Sequence, residues 1–299
     1  MRRPRSVVAR HPWVGVVALA AIGALLLGCA PEVVPDPDIV VTGDLGGRPT
    51  LTYVAPLTVD SVYRHTVWAG TGPALVEGGP VLLRYWVEDA RDARVVTENY
   101  STSPVPRVLS LAELGEDLYG TLSGQHVGAR LLQVTPPGEA ADAGFTAVTV
   151  LDVLSTRATG TPVTPRADLP VVTLADDGSP TIAPTGTPAP SGLTVQPLLR
   201  GSGVQVEPTD VVTVQYVGFS WDDGASFDST WARGVPVSFS LSDVPAWAEG
   251  LADQPVGSQV LLVVPPTYGL GATASAALAG KTVVFVIDIL ATGDEGVRR

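Results

Sequence analysis

The run Val211-Val212-Thr213-Val214-Gln215-Tyr216-Val217-Gly218 is followed by Phe227-Asp228-Ser229-Thr230 and, further on, by Trp247. Its first seven residues are mostly β-branched and partly alternating, which predicts a strand. Asp222-Asp223-Gly224 then marks a hairpin turn back to Phe227-Asp228. Residues 237–241 alternate Val, Ser, Phe, Ser, Leu. Residues 260–264 and 283–290 are apolar runs, broken only by Asp288, and suit central strands. One segment reads as a helix. Asp243 is placed to cap it, Pro245 suits its first turn, and Gly250 is placed to stop it. A mostly antiparallel sheet with one short helix is an α+β fold.

The same pattern occurs earlier in the chain. Val81 to Tyr85 matches Val212 to Tyr216 at a separation of 131, as Val40-Val41-Thr42 matches Val171-Val172-Thr173. Gly70-Thr71-Gly72 matches Gly201-Ser202-Gly203 at the same offset. Pro136-Pro137 matches Pro265-Pro266 after a small drift. One offset held over so many short matches implies two homologous domains. Their expected extents are 39–155 and 170–299, with 203–292 as the core of the second. The Thr- and Pro-rich residues 156–169 form the expected linker.

The chain has 299 residues and a net charge of −12, with 32 Gly and 27 Pro that favour short strands and turns. Residues 2–10 are basic and 13–28 almost wholly apolar, ending in Leu26-Leu27-Gly28-Cys29. That order describes an export signal over 1–28. Cys29 is the single cysteine, so it has no partner for an internal disulfide. Leu-x-Gly-Cys resembles a bacterial lipobox, which makes Cys29 the expected lipidation site, with 29–38 as a Pro-rich tether. The rest of the chain is then extracytoplasmic and anchored to the cell membrane through lipid. Without 1–28, 14 basic residues face 30 acidic ones. So acidic a chain repels phosphate backbones, which excludes nucleic acid as a partner.

The histidines are His11, His65 and His126, so the second domain holds neither His nor Cys. That excludes there a Ser-His or Cys-His nucleophile and a His/Cys metal site. No phosphate-cradling Gly loop or dinucleotide fingerprint occurs, and no cofactor or metal is expected. What remains is aromatic and apolar, with Asp228 and Arg233 among the rings. Prolyl isomerisation can run on that inventory. It breaks no covalent bond, and its barrier of about 18–20 kcal/mol is amide resonance. An apolar aromatic pocket accepts the twisted amide better than the planar one.

Tyr216-Val217-Gly218, Phe227-Asp228-Ser229-Thr230, Trp247, Val256-Gly257, Val264-Pro265-Pro266 and Val284-Phe285, in that order and spacing, resemble the FKBP-type peptidyl-prolyl cis-trans isomerases. The resemblance covers about 203–292. It implies an antiparallel sheet wrapped around one short α-helix, and an isomerase acting on proline-containing, unfolded or exported polypeptides. Immunosuppressant macrolides are the family's other ligands. By position, Trp247 is implied as the pocket floor, and Tyr216, Phe227 and Phe285 as its walls. Asp228 is implied to face the substrate carbonyl carbon and to pair with Arg233. The backbone N–H of Val244 is implied to bind a substrate carbonyl. Phe239 is left between core and wall.

The sequence departs from the family in three places. Leu270, which cannot donate a hydrogen bond, stands at the substrate-loop Tyr, with Tyr268 two residues earlier. Val237 replaces a Phe, and Ala277-Leu278 stands where Ile-Pro is frequent. In the first domain the match to Phe227-Asp228 falls on Val96-Thr97, or with a gap on Tyr100-Ser101. Leu118 stands for Trp247 and Thr149 for Phe285, so this copy reads as degenerate. A non-catalytic peptide-binding chaperone or holdase on the same fold is the alternative to the enzyme.

Overall fold

The computed structural model describes residues 36–138 and 144–293. The leader 1–28, Cys29 and residues 30–35 of the tether lie outside the described residues. The chain then alternates two small hairpins with two larger antiparallel sheets.

The first hairpin joins β1 (Val40–Thr42) to β2 (Thr50–Thr52). Next come β3 (Tyr63–Trp68), β4 (Pro80–Asp89), β5 (Arg94–Glu98), β6 (Val105–Val108), α1 (Leu111–Leu122), β7 (Arg130–Thr135) and β8 (Ala147–Leu154). These strands run in the order β3-β7-β8-β4-β5, with β6 also paired to β4. A short β9 (Thr161–Pro162) leads into the second hairpin, β10 (Val171–Leu174) and β11 (Pro180–Ala183). The second sheet has β12 (Thr194–Arg200), β13 (Val211–Ser220), β14 (Ser226–Ser229), β15 (Val237–Ser240), β16 (Gln259–Val264) and β17 (Val283–Gly293). Its order is β14-β13-β17-β16-β12-β9, with β15 on β13. Strand for strand, that is the order of the first sheet plus β9. Helices α2 (Thr230–Arg233), α3 (Pro245–Leu251) and α4 (Leu270–Ala274) belong to the second sheet's connections.

Each sheet is buried on both faces, which is why its central strands read as apolar runs rather than clean alternation. On one face of the second sheet, Val212, Val214, Leu262 and Ile287 pack against Trp247 and Leu251 of α3. On the other, Val217, Phe219, Leu261 and Val286 meet Leu169, Trp221 and hairpin residues Val172 and Ile182. The Pro-rich stretch after β11 is tied down too, since the indole of Trp221 donates to the Thr187 carbonyl at 3.1 Å.

The residues expected as a linker are not free. Pro162 and Thr161 of β9 pair with Leu199 and Arg200 along the outer edge of β12. Proline sits there without loss, because an edge strand leaves one row of amides unpaired. Leu169 is 3% exposed in the cluster just described.

Two details of α3 differ from the sequence reading. Asp243 does not cap it; it lies in the 3-10 turn Leu241–Asp243, and the cap position is Val244, with no side-chain cap bond. Gly250 does not stop the helix but lies inside it, where a Cβ would come 2.4 Å from Leu262 Cδ1. Its small size lets the helix lie close on β16.

The sheets differ at one buried polar position. In the first, Arg130 and Asp152, both 0% exposed, face each other across β7 and β8 and pair through two bonds of 2.6 Å. Arg130 also donates to the carbonyls of Gly43, Asp44 and Gly47, and Asp152 accepts from the Gly46 amide. The pair is fully hydrogen-bonded and clamps the hairpin turn to the sheet. In the second sheet the same register holds Gln259 and Asp288. Asp288 accepts from Gln259 at 2.7 Å and from the Ala158 amide at 2.8 Å. With no cation bonded to it among the described residues, burial pushes its carboxyl up to about 6, although those bonds and the charge of Arg157 pull the other way.

A carboxyl raised on folding holds its proton in the native state after the unfolded chain has lost it. Its stabilising contribution is complete below the ordinary carboxylate pKa of 3.8 and is lost as pH rises through about 6. The unfolding free energy of the wild type, from urea titrations, should therefore fall between about pH 4 and pH 6, by an amount on the order of 3 kcal/mol at most. In Asp288→Asn this slope should disappear; a slope of the same size in the variant would mean that another group causes it.

Candidate active site

The site lies where α3 crosses the face of the second sheet. Tyr216 comes from β13, Phe227 and Asp228 from β14, Phe239 from β15, Trp247 from α3 and Phe285 from β17. Pairing sets them side by side: Gly218 of β13 faces Asp228 on one flank and Phe285 on the other. Period-two alternation puts Val212, Val214 and Tyr216 on the α3 face of β13.

Trp247 is 4% exposed and central to the cluster. Its ring centroid lies 5.0 Å from that of Tyr216, 5.0 Å from Phe239 and 5.2 Å from Phe285, each edge-on. Phe227 meets Phe285 edge-on at 5.8 Å. Such packing sets the positive edge of one ring against the negative face of the next and adds about 0.5–1.5 kcal/mol per pair beyond burial. The indole Nε1 of Trp247 is buried without a hydrogen-bond partner. Phe239, left between core and wall by the sequence, is half-buried against Trp247; Val237 lies beside it on β15, opposite Val214.

Asp228 is the carboxylate of the group. It accepts from the Tyr216 hydroxyl and from Arg233, whose guanidinium stands at the C-terminus of α2. Arg233 also donates to the Tyr216 oxygen at 3.2 Å and lies over its ring. Burial pushes the Asp228 carboxyl up, but the bonds from Tyr216 and Arg233 and the positive charge outweigh it and hold the group below its ordinary value. Burial and the bond to Asp228 push the Tyr216 phenol up. Asp228 is thus an anion at neutral pH and Tyr216 a neutral donor.

The substrate-side residues make bonds of their own. The Val244 N–H already donates to the Leu241 carbonyl at 3.1 Å, closing the 3-10 turn. A substrate carbonyl would have to share it. The Tyr268 hydroxyl donates to Glu249 of α3 at 2.6 Å, and that bond, with burial, pushes its phenol up. Leu270, at the start of α4, packs its side chain against the core cluster.

Gly218 is the residue whose role the sequence did not disclose. A Cβ there would come 2.6 Å from Phe227 Cζ and 3.0 Å from Phe285 Cε1. Its place in Tyr216-Val217-Gly218 was visible, but the two rings that need the space come from strands 9 and 67 residues later.

A family model for FKBP-type peptidyl-prolyl cis-trans isomerase matches residues 203–290, the stretch that carries all of these groups. Over 105 residues the chain is 37% identical to a probable FK506-binding protein of Corynebacterium glutamicum, covering 34% of this chain and 89% of that one. The chain belongs to the FKBP-type peptidyl-prolyl cis-trans isomerase family. Among other FKBP relatives, it is 35% identical over 102 residues to the isomerase FkpA of Escherichia coli K12, covering 33% of this chain and 37% of FkpA, so it spans well under half of that relative. The crystal structure of E. coli FkpA aligns with a TM-score of 0.33 at 32% identity, covering 38% of this chain and 54% of that one.

Gly218→Ala should displace the Phe227 ring and cost about 1–3 kcal/mol, as overpacking of a filled site does. Urea unfolding with near-ultraviolet circular dichroism of the aromatic cluster would read both effects; unchanged stability and an unchanged aromatic signal would show that the rings have room to spare.

Proposed function

We propose that the pocket on the second sheet isomerises X-Pro bonds, with Trp247 as floor, Tyr216, Phe227 and Phe285 as walls, and Asp228 held by Tyr216 and Arg233 at the rim. The observation that carries this is the edge-on aromatic cluster around Trp247 with one ionised carboxylate beside it, inside the segment the family model matches. Chemistry of this kind needs no nucleophile. Rotation about the C–N bond removes amide resonance, and with it the planar amide's strong polarity. A site poor in hydrogen bonds and rich in apolar rings holds the twisted state better than the planar one, and catalysis is that difference in binding. Phe239 and Val237 extend the wall, and Val244 offers its N–H in a shared bond. Proline-containing polypeptides are the substrates, and FK506-type macrolides are the ligands that the family's chemistry suggests.

A second reading has its own support. Leu270 offers no hydroxyl, and that of Tyr268 is engaged with Glu249. A pocket with so few donors aimed at substrate also suits a peptide-binding holdase that does not turn over. Isomerisation of a short X-Pro peptide by the protein separates the two. On the enzyme reading, Trp247→Ala and Asp228→Ala each lower kcat/KM at least about tenfold, or about 1.4 kcal/mol of transition-state stabilisation. No acceleration by the folded wild type would leave only the holdase.

The first sheet is, on this reading, a degenerate FKBP-like copy without isomerase activity. The whole chain works outside the cytoplasm, held to the membrane through lipid on Cys29 and helping exported proteins to fold. Replacement of Cys29 by Ser should move the protein from the membrane fraction to the soluble fraction of its host; retention of Cys29→Ser in the membrane would point to an uncleaved signal anchor instead.

A further inference from the structure

The first sheet repeats the frame of the site but keeps, of its rings, only Tyr85 in the place of Tyr216. Val87 on β4 faces Thr97 and Thr149 as Gly218 faces Asp228 and Phe285. Arg107 on β6 faces Val81 as Phe239 faces Val212. Leu118 of α1 packs on this sheet's core where Trp247 of α3 packs on the other. The structure thereby decides between the two alignments, since Val96-Thr97 occupies the Phe227-Asp228 position, bulge included.

These exchanges leave space. A groove of about 260 Å³ runs over Leu83, Tyr85, Leu118 and Leu151, with Arg107 in its wall. It adjoins a second of about 340 Å³ that shares Val87, Leu118, Gln133 and Thr149 and reaches Asp117. Together they fall in the range of ligand sites; the first is lined mostly by apolar side chains, and the second also by Thr97, Asp117, Gln133, Thr135 and Thr149. The Gln133 amide is already satisfied, accepting from Thr121 and donating to Thr135. Asp117 is paired with Arg64 at 3.2 Å. Arg107 is exposed, and among the described residues its guanidinium donates only to the carbonyl of Pro106. The groove thus presents a floor of Leu83, Leu118, Leu151 and the Tyr85 ring, one neutralised acid and, among the described residues, one cation open to an anionic partner.

We propose that this groove is a second polypeptide-binding site, for an extended stretch with a bulky aliphatic side chain beside an acidic one. The aliphatic group would lie over Leu118 and Leu151, and the carboxylate would pair with Arg107. The choice of a polypeptide rests on the reading that the matching pocket of the second sheet takes prolyl peptides. The acidic preference comes from Arg107 alone. The site keeps Tyr85 but replaces the Trp247 and Phe285 rings with Leu118 and Thr149, so it holds chain without isomerising it.

The test uses the full protein and a proline-free probe, fluorescein-labelled acetyl-Gly-Glu-Leu-Leu-Gly-amide, followed by anisotropy beside the same peptide with Lys for Glu. The wild type should prefer the Glu peptide by about fivefold, the upper end for an exposed ion pair, and less as salt is added. Arg107→Glu should reverse that order, and Leu118→Gln should weaken both peptides. An order left unchanged by Arg107→Glu, or no binding of either peptide to the wild type, would overturn the proposal. Since the readout is binding without proline, a lack of turnover at the second sheet would not imitate that failure.

Discussion

One missing methyl group organises the candidate site. Gly218 faces Phe285 on one side and Asp228 on the other, and only hydrogen at its α-carbon lets the rings of Phe227 and Phe285 close over the strand. Phe285, so placed, joins Tyr216 and Phe239 in packing edge-on against Trp247, and the Tyr216 hydroxyl meets Asp228. In the first sheet the same position is Val87, and the rings across from it are gone. The glycine and the rings are one packing solution, because a Cβ and a phenyl edge cannot share that volume.

Sheet-wide burial on two faces supports this arrangement. α3 covers one face of the second sheet, and the hairpin β10–β11 with Leu169 and Trp221 covers the other. The first sheet is covered likewise, with its hairpin locked by the buried Arg130–Asp152 pair. The second sheet has exchanged that ion pair for Gln259 and Asp288, and the Ala158 amide supplies what the Gly46 amide supplies in the first. The segment between the sheets is therefore bonded to the second sheet and not merely a spacer.

The polar edge of the site is more closed than a reading by position implies. The Val244 amide completes a 3-10 turn, and Tyr268 reaches to Glu249 rather than into the pocket. Asp228, by contrast, keeps both of its partners and its charge. What distinguishes the two sheets chemically is thus a ring cluster with an anion on one, and an aliphatic groove with the cation Arg107 on the other.

The strands were legible because β-branched and apolar runs such as 211–217 and 260–264 satisfy local preference and burial at once. The recurrence of apolar positions at one offset accompanies one order of strands in both sheets. The pairing of Asp228 with Arg233 came from the family resemblance; in the structure the end of β14 and the one-turn α2 bring the two side chains together. The roles of Asp243 and Gly250 could not, because the cap signal and the glycine signal are local, while the 3-10 turn and the approach of Leu262 are set by the sheet beneath α3. By itself, the sequence determined the strands and the chemical inventory of the pocket. Tertiary structure alone decided which rings touch, which hydroxyls are spent on carboxylates and what Gly218 is for, because those follow from pairing between strands tens of residues apart.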